Sequence, residues 1–182
     1  MKRALFIALA GASLAACATT EGPSGAIPPP PAPPPNEQPP SANLFRQQDF
    51  AWSTVPGRAS IQGALGYRAG QVRYGCQGGE VVLTPETPWS RRRMTILYGS
   101  PVSAAVPVAT VRARTPSAPS GDYAAFVRHA SCDAANKFTF NGLPDGAWFV
   151  ITVAKPVGGA GEPVAVMRRV ETRGGPKALL LN

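Results

Sequence analysis

The chain has 182 residues, of which 44% are hydrophobic and 15% charged, and its formal net charge is +8. This length allows one domain with a hydrophobic core and leaves little room for a second. A basic chain attracts anionic lipid headgroups, anionic polymers of the cell envelope or nucleic acid, and a single histidine leaves little material for histidine-dependent catalysis.

The first sixteen residues predict a secretory signal peptide. Lys2 and Arg3 supply a positive start, an apolar run covers residues 4–14, and small residues follow. The apolar run is much shorter than the roughly 20 residues that a helix needs to cross a bilayer. We therefore expect residues 1–16 to direct export and then to be removed.

The end of this leader carries a second signal. The sequence Leu14-Ala15-Ala16-Cys17 resembles the lipobox of bacterial lipoproteins, and this resemblance implies that Cys17 is lipidated and holds the mature protein on a membrane. Ala18 stands where an aspartate would usually retain the protein in the inner membrane. The resemblance therefore implies an outer-membrane location facing the periplasm. The alternative is an ordinary cleaved signal followed by a chance cysteine.

A proline-rich stretch separates the leader from the rest of the chain. Nine of the thirteen residues from Pro28 to Pro40 are proline, which holds the backbone near polyproline II and disfavours both helix and sheet. We predict that residues 17–43 form a disordered tether. A proline-rich ligand for the aromatic groove of a partner is the alternative.

Residues 44–182 are predicted to form one domain with a basic surface. Without the leader, the chain keeps sixteen basic and ten acidic side chains, and thirteen of the basic ones are arginine. The densest arginine runs lie at residues 91–93 and 168–169, and short runs of this kind usually form solvated faces. Because export separates the protein from nucleic acid, we expect no nucleic-acid partner.

The cysteine count agrees with an oxidising compartment. With Cys17 lipidated, Cys76 and Cys132 remain as a pair, and a structural disulfide is the default expectation for an exported protein. Closing a loop of this length stabilises a fold by roughly 4 kcal/mol in the chain-entropy model. The rival interpretation, a structural zinc site, would need four Cys or His ligands at recognisable spacings. We therefore predict a disulfide and no metal.

Alternating apolar residues indicate a β-rich domain. In RASIQGALGY, Ile61, Leu65 and Tyr67 share one face, and in QVRYGCQ, Cys76 shares a face with Val72 and would point inward. Further strand-like segments, separated by turn residues, lie at residues 80–83, 123–130, 137–140, 148–154, 163–170 and 177–181. The pattern predicts a β-rich fold in which strands alternate with turns.

One segment between these strands carries helical signals. Thr87 and Pro88 are suited to the N-cap and the first turn, apolar residues then recur at helical offsets, and Gly99 can end the helix. A second short helix at residues 41–51 would bridge the tether and the domain. The predicted fold class is therefore mainly β, with one or two short helices.

The segment CDAANKFTFNGLPDGAWFVITVA, residues 132–154, combines two strand-like phrases with a turn-rich centre. Phe138 and Phe140 place two rings on one face of the first phrase, and the dipeptides NG and DG supply turns. We predict a hairpin-like unit built for packing, with the ring of Trp148 in the core.

The same segment resembles a known family. The pattern D-A-x-x-x-F-x-F-x-x-L-P-x-G-x-W-F-V, from Asp133 to Val150, resembles the closing portion of carboxypeptidase regulatory-like domains, which are transthyretin-like (prealbumin-like) β-sandwiches. Asn136 stands near the place of a glycine that is usual in that family, and asparagine tolerates positive φ. The order of motifs over most of the domain is similar to that of proteobacterial envelope lipoproteins. That resemblance implies a bridge between Cys76 and Cys132 and implies no established activity.

No catalytic constellation is visible in the sequence. The carboxypeptidases that give the domain its name bind zinc through two histidines and a carboxylate, whereas this chain has only His129 and no H-x-x-E. No G-x-S-x-G elbow accompanies a serine, and no glycine loop for phosphate or dinucleotide is present. We expect no catalytic residue and no cofactor, with His129 as a strand residue that makes a local hydrogen bond.

Two non-enzymatic roles are compatible with these features. The favoured role is a structural or protein-interaction module that contacts another envelope protein through a sheet face or edge. The alternative is a module for cell-wall or surface glycans, in which exposed Trp52 and Trp89 supply stacking faces and Arg91, Arg92 and Arg93 contact acidic groups.

Overall fold

The computed structural model describes residues 42–182, which contain ten strands, two α-helices and three 3-10 helices. The strands are β1 (Ala59–Leu65), β2 (Arg68–Ala69), β3 (Val72–Gly75), β4 (Glu80–Pro85), β5 (Ser103–Pro107), β6 (Arg128–Ser131), β7 (Lys137–Leu143), β8 (Gly146–Pro156), β9 (Val164–Thr172) and β10 (Pro176–Leu181). The α-helices are α1 (Pro88–Tyr98) and α2 (Val108–Arg114), and the 3-10 helices are Gln47–Thr54, Thr115–Ser117 and Ala124–Phe126. The predictions for the signal peptide, for Cys17 and for the tether up to residue 41 lie outside the described residues.

The strands form two sheets. The smaller sheet has the order β10-β1-β7, in which β1 runs antiparallel to β7 and parallel to β10. The larger sheet contains the antiparallel series β6-β4-β8-β9-β5, and β3 pairs with the C-terminal end of β8 and with β2. Strand β8 is the centre of this sheet because β3, β4 and β9 all pair with it.

The central strand β8 contributes to two hydrophobic layers. Trp148 and Val150 are buried in the main core, where side chains from both sheets meet. Phe149 and Ile151, on the alternate face, pack in a second layer beneath α1 and α2. Burial in this second layer raises the pKa of Tyr98 to about 12, because an apolar environment disfavours the charged phenolate.

The predicted fold class is confirmed: the described domain is mainly β, with short helices on one face of a two-sheet arrangement. The parallel pairing of β1 with β10 is the departure from a fully antiparallel sandwich. Within residues 42–182, no helix combines the length and apolar content that a membrane crossing requires.

Helix α1 forms where local signals predict it. The Thr87 hydroxyl accepts a hydrogen bond from the Ser90 N–H at 3.0 Å, and the Ser90 hydroxyl accepts one from the Thr87 N–H at 2.8 Å. This reciprocal capping satisfies two backbone donors at the start of the helix. Gly99 ends it with φ 77°, in the left-handed region that glycine adopts without a steric cost.

The predicted hairpin over residues 132–154 is wrong. Strands β7 and β8 lie in different sheets, and the two residues between them carry the chain from one sheet to the other. Phe138 and Phe140 on β7 therefore face Trp148 on β8 across the main core instead of lying beside it. The turn-rich centre marks a sheet-to-sheet connection, and the prediction that Trp148 is buried is confirmed.

Four other elements differ from the predictions. Residues 123–130 form a strand only from Arg128 onward, because Ala124–Phe126 is a 3-10 helix whose Phe126 ring packs on Phe50 at a centroid distance of 5.0 Å. The bridging helix is a 3-10 helix at Gln47–Thr54, whereas the prediction placed a helix at residues 41–51. Strand β5 and helix α2 had no counterpart in the prediction.

Candidate functional site

A cleft of about 370 Å³ lies where β3 pairs with the C-terminal end of β8. Arg73 comes from β3, and Val153 and Lys155 come from β8. The full lining consists of Arg73, Tyr74, Gly75, Cys76, Gln77, Gly79, Asn136, Val153, Lys155, Pro156 and Val157.

A glycine keeps part of this cleft open. Gly75 pairs with Lys155 in the sheet. A Cβ atom at Gly75 would lie 3.0 Å from the Asn136 Oδ1 and 3.1 Å from a Val157 methyl carbon. Because these contacts are tighter than ordinary van der Waals distances, a side chain at residue 75 would displace the lining residues.

The predicted disulfide is present and borders the cleft. It joins Cys76 to Cys132, whose Cα atoms are 5.7 Å apart. Asn136 has φ 60°, as the comparison with the family's glycine anticipated, and its Oδ1 accepts a hydrogen bond from the Cys76 N–H at 2.8 Å. The disulfide and this hydrogen bond tie the end of β3 to the loop before β7.

The cleft has a positive rim and an apolar wall. Arg73 and Lys155 are exposed, and among the described residues neither forms an ion pair. Val153 and Val157, which both line the cleft, remain 39% and 55% exposed. The site can therefore contact an apolar surface and an anionic group of one ligand at the same time.

The predicted exposure of Trp89 is wrong. Its side chain is only 1% exposed, and its ring packs against Phe45 at 5.3 Å and Tyr123 at 4.9 Å between ring centroids. The helical pattern could not show that residues outside the helix would cover this position. Trp52 is half-buried, with its ring 4.9 Å from that of Trp148. Trp52 and Trp89 therefore pack against different aromatic rings and form no common stacking surface.

The arginine run on α1 is divided among three environments. Arg91 forms an ion pair with Glu86. Arg93 points inward, where its Nη1 donates to the Pro119 carbonyl at 2.7 Å and its guanidinium lies 5.7 Å from the centroid of the Trp89 ring. Arg92 is exposed and forms no ion pair with the described residues. Only Arg92 has the environment that the predicted glycan site required.

Several ionisable residues elsewhere form structural pairs. His129 lies on β6 and its Nδ1 is 2.7 Å from the Glu80 Oε1 on the neighbouring strand, in agreement with the predicted strand role. Hydrogen bonds from Arg169, the larger cause, and from Arg173 lower the pKa of Glu171, because they stabilise its carboxylate. Among residues 42–182, no group of three or more His, Cys, Asp or Glu side chains has a metal-binding arrangement.

No protein-family model and no curated protein matches this chain. Its structure is similar to the crystal structure of a "putative carbohydrate binding protein" from Pseudomonas aeruginosa, with a TM-score of 0.55 and 21% sequence identity over 75% of this chain and 96% of the other. At this level of identity the similarity establishes the fold alone.

Proposed function

We propose that the domain binds carboxylate-bearing glycans of the cell envelope in the cleft between β3 and β8. The observation that carries this proposal is the composition of the cleft, which combines two exposed valines with Arg73 and Lys155, two cations that form no ion pair within residues 42–182. An acidic sugar presents apolar C–H faces beside a carboxylate, so it complements both features. The volume of about 370 Å³ lies within the range of small-molecule sites.

The structural relative supports the same class of ligand. The Pseudomonas protein is named for carbohydrate binding and shares the β fold. Because one fold hosts many functions, we assign the binding residues from the cleft of this chain and not from the relative. Binding of this kind requires no nucleophile, acid–base pair or cofactor, so the proposed module is non-catalytic.

The proposed location follows from the leader. An acylated Cys17 would hold the domain at the outer membrane, and the proline-rich tether would let the domain reach the cell wall. Mass spectrometry of the protein isolated from membranes tests this proposal. We expect a mature chain that begins with an acylated Cys17, whereas an unmodified Cys17 in that chain would contradict it.

Neutralising the rim of the cleft should weaken glycan binding. In the variant Arg73→Ala/Lys155→Ala, we expect retention on purified cell-wall sacculi to fall roughly tenfold, because exposed ion pairs contribute up to about 1 kcal/mol each. Oligogalacturonide should compete with the sacculi for the unmodified protein, and its methyl ester, which lacks the charge, should compete poorly. Pull-down at low salt measures both effects.

A matched control separates the cleft from the general positive charge. Lys177→Ala removes an exposed strand lysine that does not line the cleft, and combining it with Arg58→Ala gives the same loss of charge as the cleft variant. This control should keep its retention on sacculi. Equal loss in the two variants would contradict a specific site and indicate a diffuse electrostatic contact.

The open edge of β10 favours a second candidate function, a protein-interaction module. Within the described residues β10 pairs only with β1, and its other edge is approached by Arg168, whose Nη1 donates to the Leu180 carbonyl at 3.1 Å. An extended segment of an envelope protein could add to such an edge. Crosslinking from Ala178 in intact envelopes would test this role, and capture of no protein would count against it.

A further inference from the structure

The helical layer of the domain has an unusual charge. Between Thr87 and Gly121 the sequence contains five arginines and no aspartate or glutamate. This segment includes both α-helices, and none of its residues lines the cleft between β3 and β8. The segment therefore carries no acidic side chain of its own, and Glu86 and Asp122 stand directly at its two ends.

The packing of the two helices leaves arginines on their outer faces. Helix α1 buries Met94 and Leu97 in the second hydrophobic layer, and α2 packs Val108 and Val111 against the same layer. The exposed residues of α1 include Arg91, Arg92 and Thr95, and those of α2 are Ala109, Arg112, Ala113 and Arg114. We call the outer faces of α1 and α2 the helical face.

The cations of the helical face are incompletely neutralised. Arg91 is paired with Glu86, and the Nη1 of Arg114 donates to the Leu97 carbonyl, which leaves the Arg114 charge in place. Arg92 and Arg112 form no ion pair within residues 42–182. The other exposed residues of α1 and α2, Pro88, Thr95, Ala109 and Ala113, are small and uncharged, so the exposed charge of these helices is positive.

We infer that the helical face docks on the anionic surface of a phospholipid bilayer. A bilayer surface is laterally uniform and requires no shaped pocket, so several exposed arginines on one face are sufficient to recognise it. Each arginine near an anionic bilayer raises binding about fivefold. Arg92, Arg112 and Arg114 together would raise it on the order of a hundredfold, which is weak for a free protein and effective for a protein that is also tethered. This inference does not depend on glycan binding.

Vesicle sedimentation tests the inference with the chain from Ala18 onward, which lacks Cys17 and contains every described residue. The probe is a vesicle of equal parts phosphatidylglycerol and phosphatidylcholine, compared with a vesicle of phosphatidylcholine alone. We expect binding to the anionic vesicle only, and a strong decrease at high salt because screening shortens the electrostatic range to a few ångströms. Arg92→Gln/Arg112→Gln should lower binding about 25-fold, and Arg92→Glu/Arg112→Glu should abolish it.

Two control variants locate the contact. Arg58→Glu/Lys177→Glu changes the net charge by the same amount as Arg92→Glu/Arg112→Glu but alters residues outside the helical layer, so it should retain most of the binding. The cleft variant Arg73→Ala/Lys155→Ala should also bind anionic vesicles, because it alters no residue of the helical face. Loss of glycan binding in the cleft would therefore leave the membrane result unchanged. Equal losses in the helical and control variants, equal binding to neutral vesicles, or tighter binding to duplex DNA than to vesicles would overturn the inference. Circular dichroism confirms that each variant is folded.

Discussion

Replacing Trp89 with alanine is expected to lower the free energy of unfolding by about 3–5 kcal/mol, because the change removes a large buried aromatic side chain and leaves a cavity. Trp89 is 1% exposed and its ring contacts Phe45, Phe50 and Tyr123. It therefore joins α1 to the segment that precedes β1 and to the loop that precedes β6. Urea denaturation followed by circular dichroism measures the loss.

Two further substitutions distinguish this structural role from a ligand contact. Trp89→Phe keeps an aromatic ring and should cost less than Trp89→Ala. Trp52→Ala changes a half-buried side chain and should also cost less, because the exposed part of the ring gains little from folding. A Trp89→Ala variant that kept the stability of the unmodified domain but lost glycan binding would show that the ring serves a ligand.

Removing the disulfide is expected to lower stability by roughly 4 kcal/mol, because the unfolded chain regains the conformational entropy of a large loop. Cys76 and Cys132 are 56 residues apart in the sequence. The variant Cys76→Ala/Cys132→Ala therefore loses a constraint that acts mainly on the unfolded state. Denaturation of this variant, beside the unmodified domain with and without a reducing agent, gives the difference.

The outcome of the disulfide experiment also bears on the cleft. Cys76 lines the cleft, and its N–H is bound by Asn136, so loss of the covalent link should loosen this wall and weaken ligand binding. Asn136→Ala, which removes the hydrogen bond and leaves the disulfide, serves as the comparison for local loosening. Unchanged stability after removal of both cysteines would contradict a structural role for the bond.

Features encoded by neighbouring residues were predictable from the sequence. Helix α1 could be predicted because its capping residues Thr87 and Ser90 and its terminal Gly99 act within one or two turns. The strands could be recognised because alternate residues such as Ile61 and Leu65 point to the same face. The disulfide was predicted from the number of cysteines that follow the predicted export signal, and this prediction needed no spatial information.

Features that depend on distant contacts were not predictable. The turn dipeptides between β7 and β8 fit a hairpin locally, and only the pairing of β7 with β1 places the two strands in different sheets. Helix α2 was missed for a different reason, since it carries local signals but is short. Val108 and Val111 stand at helical spacing, and arginines occupy its last turn, so these residues could have indicated the helix. Trp89 was predicted to be exposed, but its ring is buried because Phe45 and Tyr123, which are distant in the sequence, cover it.

The cleft could not be predicted from the sequence, because it too depends on contacts between distant residues. Arg73 and Lys155 are far apart in the sequence, and they meet because β3 pairs with the end of β8. The available signals were the glycines at positions 75 and 79 on either side of a cysteine turn and the basic residues at exposed strand positions. None of these signals indicates a site until the strands are paired.

Nuclear magnetic resonance titration of the domain with a short oligogalacturonide tests the proposed glycan site most directly. We predict that chemical-shift changes will cluster at Arg73, Gly75, Val153 and Lys155, which line the cleft, and that the uncharged methyl ester will cause much smaller changes. Shift changes confined to the helical face, or none at millimolar ligand, would contradict glycan binding in the cleft.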